Sequence, residues 1–187
     1  MSDATFDPKF YPCCAFTLSP LQDGQPYHVT PGDSGGPTAW GITEETYARH
    51  LGHVPTAADW QKLTPEVAST IYHSDYWLPI QGDIIPFGID LMVFDHGVTA
   101  GTVTTIKLLQ DVMRVASDGV IGPQTTSAIY ALAGVDQHTF IGKLAWRQES
   151  YYRSLNDFAS FGNGWLARLD RRAVAAVDIL TRHAAVS

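Results

Sequence analysis

Residues 33–43 read DSGGPTAWGIT, and this stretch indicates the type of fold and site more clearly than any other part of the chain. Asp33 and Thr38 lie on either side of Gly35 and Gly36. The two glycines allow the backbone to turn tightly and to approach a ligand closely. The stretch therefore predicts a short Gly-rich turn or hairpin that presents a carboxylate and a hydroxyl.

Most of the remaining chain shows the spacing of apolar residues that is typical of helices, and alternating, strand-like runs are scarce. Thr43 is placed to cap a helix that runs to about His50, and Thr64 with Pro65 begins another in the same way. The sequence therefore predicts a mainly α fold. Further helices are expected near residues 9–21, 87–98, 103–113, 124–133, 137–155 and 165–183, the last two joined by a turn at residues 162–164.

Composition and charge exclude several classes of protein. With 187 residues and 45% hydrophobic content, the chain can bury a core as one domain or as two closely packed subdomains, and we expect a monomer. The formal net charge is -7 and there is no basic run, so nucleic acid is not an expected partner. Cys13 and Cys14 are adjacent, which indicates free or helix-packing thiols and not a disulfide. No apolar run predicts a membrane span, and no secretory signal pattern is present.

The turn and its neighbours resemble the signature of the glycoside hydrolase family 108 muramidases. That signature has a Glu-Gly-Gly-Tyr element, a short spacer, and then a Gly-rich turn with Asp, Thr and a Gly-Ile-Thr ending. Tyr27, Pro31, Asp33, Thr38 and residues 41–43 match it here. The resemblance implies a lysozyme-like helical fold with the active site at the Gly-rich turn.

The resemblance extends over nearly the whole chain, in the expected order. Residues 71–77, 94–95 and 108–110 resemble elements of the same family. Residues 118–125 resemble a peptidoglycan-binding-like loop, and residues 164–168 resemble the family's C-terminal segment, whereas Thr99 replaces an Asn. The resemblance thus implies a catalytic region at residues 1–85 and a helical, peptidoglycan-binding-like region at residues 86–187, packed together as one unit.

Cleavage of a glycosidic bond needs a proton donor for the leaving oxygen and a carboxylate on the opposite side of the sugar. The resemblance implies that Asp33 is the base or electrostatic stabiliser and that Thr38 helps to hold the attacking water. Aligned without gaps, the family's catalytic Glu falls on Gly24, which has no side chain to donate. A one-residue insertion instead makes Asp23 the proton donor, and residues 44–45, both Glu, are the nearest reserves.

The same residues also have simpler interpretations. Asp23 and Asp33 are residue types that commonly stabilise turns, and Thr38 is a possible turn hydroxyl. We expect Tyr27 and Trp40 to contact sugar rings next to the close backbone approach at Gly35 and Gly36, although aromatic residues in small helical proteins mostly belong to the core. The histidines lack the spacing of a metal site, so no metal and no cofactor is predicted.

The resemblance predicts a peptidoglycan hydrolase, an N-acetylmuramidase that cuts the bond between N-acetylmuramic acid and N-acetylglucosamine. We expect a phage endolysin that causes host lysis, is made in the cytoplasm without a signal peptide, and reaches the wall through a holin or another route. The alternative is a degenerate relative that binds peptidoglycan strands without hydrolysing them. A wall amidase or endopeptidase is a third possibility.

Overall fold

The computed structural model describes residues 6–22, 24–29 and 36–185. Asp23, Asp33 and Gly35 lie outside the described residues. The described part is mainly helical, as predicted, with a small sheet. Its helices are α1 Phe10–Thr17, α2 Glu44–Leu51, α3 Ala57–Lys62, α4 Pro65–Tyr72, α5 Ile89–Ala100, α6 Thr102–Met113, α7 Pro123–Ala131, α8 Gln137–Arg153 and α9 Phe158–Ala184. Its strands are β1 His28–Val29, β2 Pro37–Ala39 and β3 Ile42–Thr43.

The three strands form an antiparallel sheet in the order β1-β2-β3. Thr38 lies in the central strand, opposite His28 on one side and Thr43 on the other. Trp40 and Gly41 connect β2 to β3 with φ angles of 53° and 74°. A two-residue connection with positive φ at both positions matches the twist of an antiparallel hairpin. The predicted hairpin is therefore present, and Thr38 is held by pairing on both sides.

The predicted helix caps are confirmed. The side chain of Thr43 accepts a hydrogen bond from the backbone N–H of Thr46, and Gly52 ends α2 in the left-handed conformation. At the start of α4, the side chain of Thr64 accepts from the N–H of Val67. Thr43 thus starts α2 directly after β3, which fixes the helix relative to the hairpin.

Helix α5 lies at the centre of the core. Each residue from Ile89 to Gly97 is buried, and the helix packs against α1, α6, α8 and α9. Phe94 meets the rings of Phe10 and Trp77 at centroid distances of 5.7 Å in edge-to-face contacts. Because helices from both predicted regions, residues 1–85 and 86–187, pack on α5, the two regions share one hydrophobic core.

The predicted turn at residues 162–164 is wrong, because α9 continues through both glycines from Phe158 to Ala184. The break between the last two helices lies earlier, at residues 154–157. At Gly162 an added Cβ would lie 2.6 Å from the ring of Phe158, so the glycine makes room for a side chain one turn away on the same helix. Packing of α9 on α5 and α8 overrides the local turn preference of Gly-Asn-Gly.

Cys13 and Cys14 are free and buried in α1, which confirms their packing role. Burial raises the pKa of both thiols, that of Cys14 to about 11, so neither is a reactive thiolate near neutral pH. Within the described ranges, none of the helices combines the length and apolar character that crossing a membrane requires.

Candidate active site

A cleft of about 480 Å³ lies beside the small sheet. Thr38, Gly41 and Thr43 from the hairpin line one side of it. Leu21 and Gln22, which follow α1, also line it. The cleft is therefore lined both by Thr38 of the hairpin and by the two residues that immediately precede Asp23 in the sequence.

The opposite side of the cleft comes from the C-terminal half of the chain. Thr99, at the end of α5, lines it together with Gly164, Trp165, Arg168 and Arg171 of α9. Trp165, Arg168 and Arg171 are spaced three positions apart, which places them on one helix face. The last helix thus forms one wall of the same cleft to which the hairpin contributes Thr38.

Asp95 anchors this wall to the core. Its carboxylate is fully buried and accepts hydrogen bonds from Thr17 at 2.8 Å, from Arg168 at 2.6 and 3.0 Å, and from Arg172 at 2.7 Å. Burial on its own would raise the pKa of Asp95, but the guanidinium groups of Arg172 and Arg168 more than offset this effect and hold the pKa well below its usual range. Asp95 is therefore an ionised structural link between α1, α5 and α9.

The structure describes only some of the residues that were predicted to form the active site. Thr38 lines the cleft. Asp23 and Asp33 lie outside the described residues, as does Gly35, so their roles stay predictions. Gly36 is described and has a φ of 74°, the left-handed conformation that favours glycine in a tight turn.

Gly24 has no room for a side chain. An added Cβ would lie 1.9 Å from the carbonyl oxygen of Leu18, far inside van der Waals contact. The N–H of Gly24 also donates to the carbonyl of Ser19 at 3.0 Å, which closes the turn after α1. In this backbone conformation position 24 therefore accommodates only glycine. The assignment of Asp23 as the proton donor stays a prediction, because Asp23 lies outside the described residues.

The side chains of Tyr27 and Trp40 have different partners. The indole Nε1 of Trp40 donates to the carbonyl of Leu63 at 2.9 Å, and the ring packs against the core. Tyr27 is 52% exposed and packs edge-on against Trp60 at a centroid distance of 5.2 Å, in a second pocket of about 320 Å³. Neither residue is among those that line the cleft with Thr38, so their contacts with sugar stay predictions.

Sequence reasoning did not select several residues that line the cleft. Trp165, Arg168 and Arg171 were not proposed as site residues, although residues 164–168 had been matched to a family segment. Their spacing on a predicted helix would have shown that they share a face. Thr99 had been noticed only as a departure from the family pattern, and it lines the cleft with its hydroxyl 3.1 Å from the carbonyl of His96.

Three of the histidines contact other side chains in the structure. His53 lies 3.2 Å from a carboxylate oxygen of Asp59, and His50 stacks on Tyr47. His73 packs against Phe10 in the core. In the part of the chain that the structure describes, no group of three histidine, cysteine or acidic side chains is placed to hold a metal ion.

Two segments of the chain match families of wall-associated proteins, and the fold matches a solved structure. Residues 22–101 match the family "Glycosyl hydrolase 108", and residues 104–170 match "Predicted Peptidoglycan domain". The solved structure of Brucella abortus SagA superposes with a TM-score of 0.81 at 30% sequence identity, covering 91% of this chain and 95% of that chain. No curated protein matches the sequence.

This chain belongs to glycosyl hydrolase family 108 and carries a C-terminal peptidoglycan domain. The two matched segments meet between α5 and α6, whereas a boundary near residue 86 stays a prediction. Thr38 lies in the first matched segment, and Trp165 and Arg168 lie in the second. Both segments therefore contribute walls to one cleft.

Proposed function

We propose that this protein is an N-acetylmuramidase, which cleaves the glycosidic bond between N-acetylmuramic acid and N-acetylglucosamine in peptidoglycan. The observation that carries the proposal is the cleft in which Thr38 of the hydrolase segment faces Trp165 and Arg168 of the peptidoglycan segment. A glycan strand bound in this cleft contacts both segments. The second segment is then a part of the catalytic cleft as well as a domain that contacts the wall.

The proposed reaction uses two carboxyl groups and one hydroxyl group. Asp23 protonates the leaving glycosidic oxygen, and Asp33 acts as base or stabilises the developing positive charge. Thr38 orients the attacking water. Thr38 is suited to this role because it lines the cleft and its strand is paired on both sides, which holds its backbone in a defined position.

Mass analysis of a digest of purified peptidoglycan tests the reaction. A muramidase produces fragments with new reducing ends at N-acetylmuramic acid. New reducing ends at N-acetylglucosamine would indicate a glucosaminidase, and new amino groups without reducing ends would indicate an amidase or endopeptidase. Either of these two results would overturn the proposed bond specificity.

A second candidate function is binding of peptidoglycan without hydrolysis. It is favoured by Gly24, which carries no carboxyl where the ungapped family pattern has its catalytic Glu. This candidate predicts that the protein sediments with insoluble peptidoglycan yet releases no soluble fragments over a wide pH range. Release of any muropeptide by wild type, abolished in Asp23→Asn, would exclude it.

We also propose that the biological role is lysis of a bacterial host as a phage endolysin that reaches the wall through a holin or another route. The proposal rests on the expected wall substrate. Expression inside bacterial cells tests it: turbidity should stay constant until a holin or a membrane-permeabilising agent is added, and then fall. Lysis without permeabilisation would contradict the proposed release route.

A further inference from the structure

Arg171 connects the C-terminal helix to the segment that precedes Asp23. Its Nη2 donates to the backbone carbonyl of Leu21 at 3.3 Å and to the side-chain oxygen of Gln22 at 3.0 Å. These contacts join residues about 150 positions apart in the sequence. Arg171 also lines the cleft, so the contact is made at the site.

Among the described residues, the chain after this segment is attached to the hairpin, where the N–H of Trp40 donates to the carbonyl of Gln25 at 2.6 Å. The side chain of Leu21 is 75% exposed, so burial does little to fix it. Locally, the N–H groups of Gln22 and Gly24 both donate to the carbonyl of Ser19, which closes the turn but does not attach it to the rest of the protein. The guanidinium of Arg171 is a long-range attachment for this turn, and arginine presents several donors in one fixed plane.

The helix that carries Arg171 is itself well anchored. Arg172, the next residue, is fully buried and donates to Asp95 at 2.7 Å and to Gln148 at 2.8 Å. Position 171 is therefore fixed relative to the core. An attachment at this point restricts the movement of the turn more effectively than an exposed side chain on a mobile loop could.

We propose that Arg171 is a positioning residue, which holds Leu21 and Gln22 against α9 and so restricts the segment that leads into the proposed proton donor, Asp23. This role rests on the proposed muramidase function. A shift of about 1 Å in a catalytic group can lower the rate about 100-fold, so a lost attachment near the donor affects turnover strongly. The C-terminal helix then sets the geometry of the acid that belongs to the hydrolase segment.

The alternative role for Arg171 is direct binding of the glycan, since it lines the cleft. The two roles differ in their kinetics. Loss of a group that binds ground state and transition state equally raises KM and leaves kcat unchanged, whereas misplacement of the proton donor lowers kcat. The KM and kcat of Arg171→Met therefore separate these roles. Arg171→Lys is the conservative variant, because lysine retains a charged donor for one of the two acceptors.

We expect Arg171→Met to lower kcat for soluble peptidoglycan fragments by about 10- to 100-fold, with KM and sedimentation with peptidoglycan within about twofold of wild type. Arg171→Lys should recover part of the loss. Arg182→Met is the matched control, because Arg182 is exposed on the same helix and pairs only with Asp178 nearby in the described structure. A raised KM with unchanged kcat, or unchanged kinetics, would overturn the proposal.

Hydrogen exchange tests the attachment independently of activity. Arg171→Met should speed amide exchange in peptides that span residues 18–27, whereas Arg182→Met should leave it unchanged. If wild type itself releases no reducing ends, the proposed function fails, and faster exchange in Arg171→Met still establishes the attachment. Unchanged exchange in Arg171→Met would overturn the positioning role whether or not the wild type is active.

Discussion

Arg168 Nη2 lies 2.6 Å from Asp95 Oδ1, and this ion pair attaches the wall of the cleft to the central helix of the core. Arg172 pairs with the other oxygen of the same carboxylate at 2.7 Å. The aspartate belongs to the hydrolase segment, whereas the two arginines belong to α9, which extends beyond the peptidoglycan segment. The two halves of the cleft are therefore joined by a buried, charged contact.

Removal of this carboxylate should destabilise the protein strongly. Asp95→Ala leaves two guanidinium groups at a buried site without their partner, and breaking a buried pair in this way costs about 3–5 kcal/mol. Urea unfolding should show a loss in this range. Asp178→Ala is the control, because Asp178 forms an exposed pair with Arg182 on the surface of α9, and such pairs contribute less than about 1 kcal/mol. Equal losses in the two variants would contradict the structural role of Asp95.

The same carboxylate predicts a loss of stability in acid. The pKa of Asp95 is lowered in the folded protein relative to about 3.9 in an unfolded chain. Its contribution is therefore present above about pH 4 and is lost as pH falls toward the folded-state pKa. The free energy of unfolding of wild type should decrease below pH 4, and the decrease should be smaller in Asp95→Asn. A decrease of the same size in both proteins would exclude Asp95 as its source.

Asp90 should lower the stability of the folded protein as pH rises, whereas Asp95 lowers it as pH falls. Burial raises its pKa to about 7, and the carboxylate oxygen Oδ2 lies 3.9 Å from Lys9 without a hydrogen bond from the described residues. Because the folded-state pKa is above the unfolded value of about 3.9, stability is fully present below pH 4 and is lost as pH rises through 7.

Unfolding experiments with Asp90→Asn test this effect. The variant should lack the decrease in stability between pH 4 and pH 7, so its free energy of unfolding at pH 8 should exceed that of wild type, on the order of a few kcal/mol. Both proteins should still lose stability below pH 4, since Asp95 is present in each. A wild-type decrease between pH 4 and pH 7 that persists in Asp90→Asn would show that another group causes it.

Local rules predicted much of this fold. Thr43 and Thr64 cap helices because their hydroxyls lie beside unpaired backbone N–H groups, an arrangement visible in sequence. The turn proposed at residues 162–164 failed because its local preference is overridden by contacts with elements that no short window contains. Short-range chemistry was therefore a good guide to helix starts and a poor guide to the length of α9.

The sequence predicted the residues that the hairpin contributes to the cleft better than those that α9 contributes. Thr38 and the turn after it follow from the motif. Arg171 reaches Leu21 across nearly the full length of the chain, and such a contact depends on tertiary packing that periodicity does not encode. The close approach of Gly24 to Leu18 is likewise a property of the folded turn that the sequence does not reveal.

The glycines of α9 provide a matched test of packing. Gly162→Ala should destabilise the protein by about 1–3 kcal/mol, because its Cβ would lie 2.6 Å from the Phe158 ring. At Gly164 an added Cβ meets nothing within 4 Å, so Gly164→Ala should stabilise the helix by up to about 1 kcal/mol. Thermal unfolding of the two variants should shift in opposite directions. Shifts in the same direction would contradict this description of the helix.

The hydroxyl of Thr38 should matter for turnover. Thr38→Val retains the branched shape but removes the group that orients water, so kcat should fall by about 10-fold or more, whereas Thr38→Ser should stay close to wild type. The rate of soluble muropeptide release measures this effect. Thr181→Val, at an exposed site on α9, is the control. Equal activity of Thr38→Val and wild type would remove Thr38 from the mechanism.

The most direct test of the account is the rate at which new reducing ends appear in purified peptidoglycan with wild type and with Asp23→Asn. We expect N-acetylmuramic acid reducing ends from wild type and a rate at least about 100-fold lower from Asp23→Asn, since a proton donor contributes about that much or more. Sedimentation with peptidoglycan and thermal unfolding should be unchanged in the variant, and Asp178→Asn should retain wild-type activity. Wild-type activity in Asp23→Asn would contradict the assignment of the proton donor.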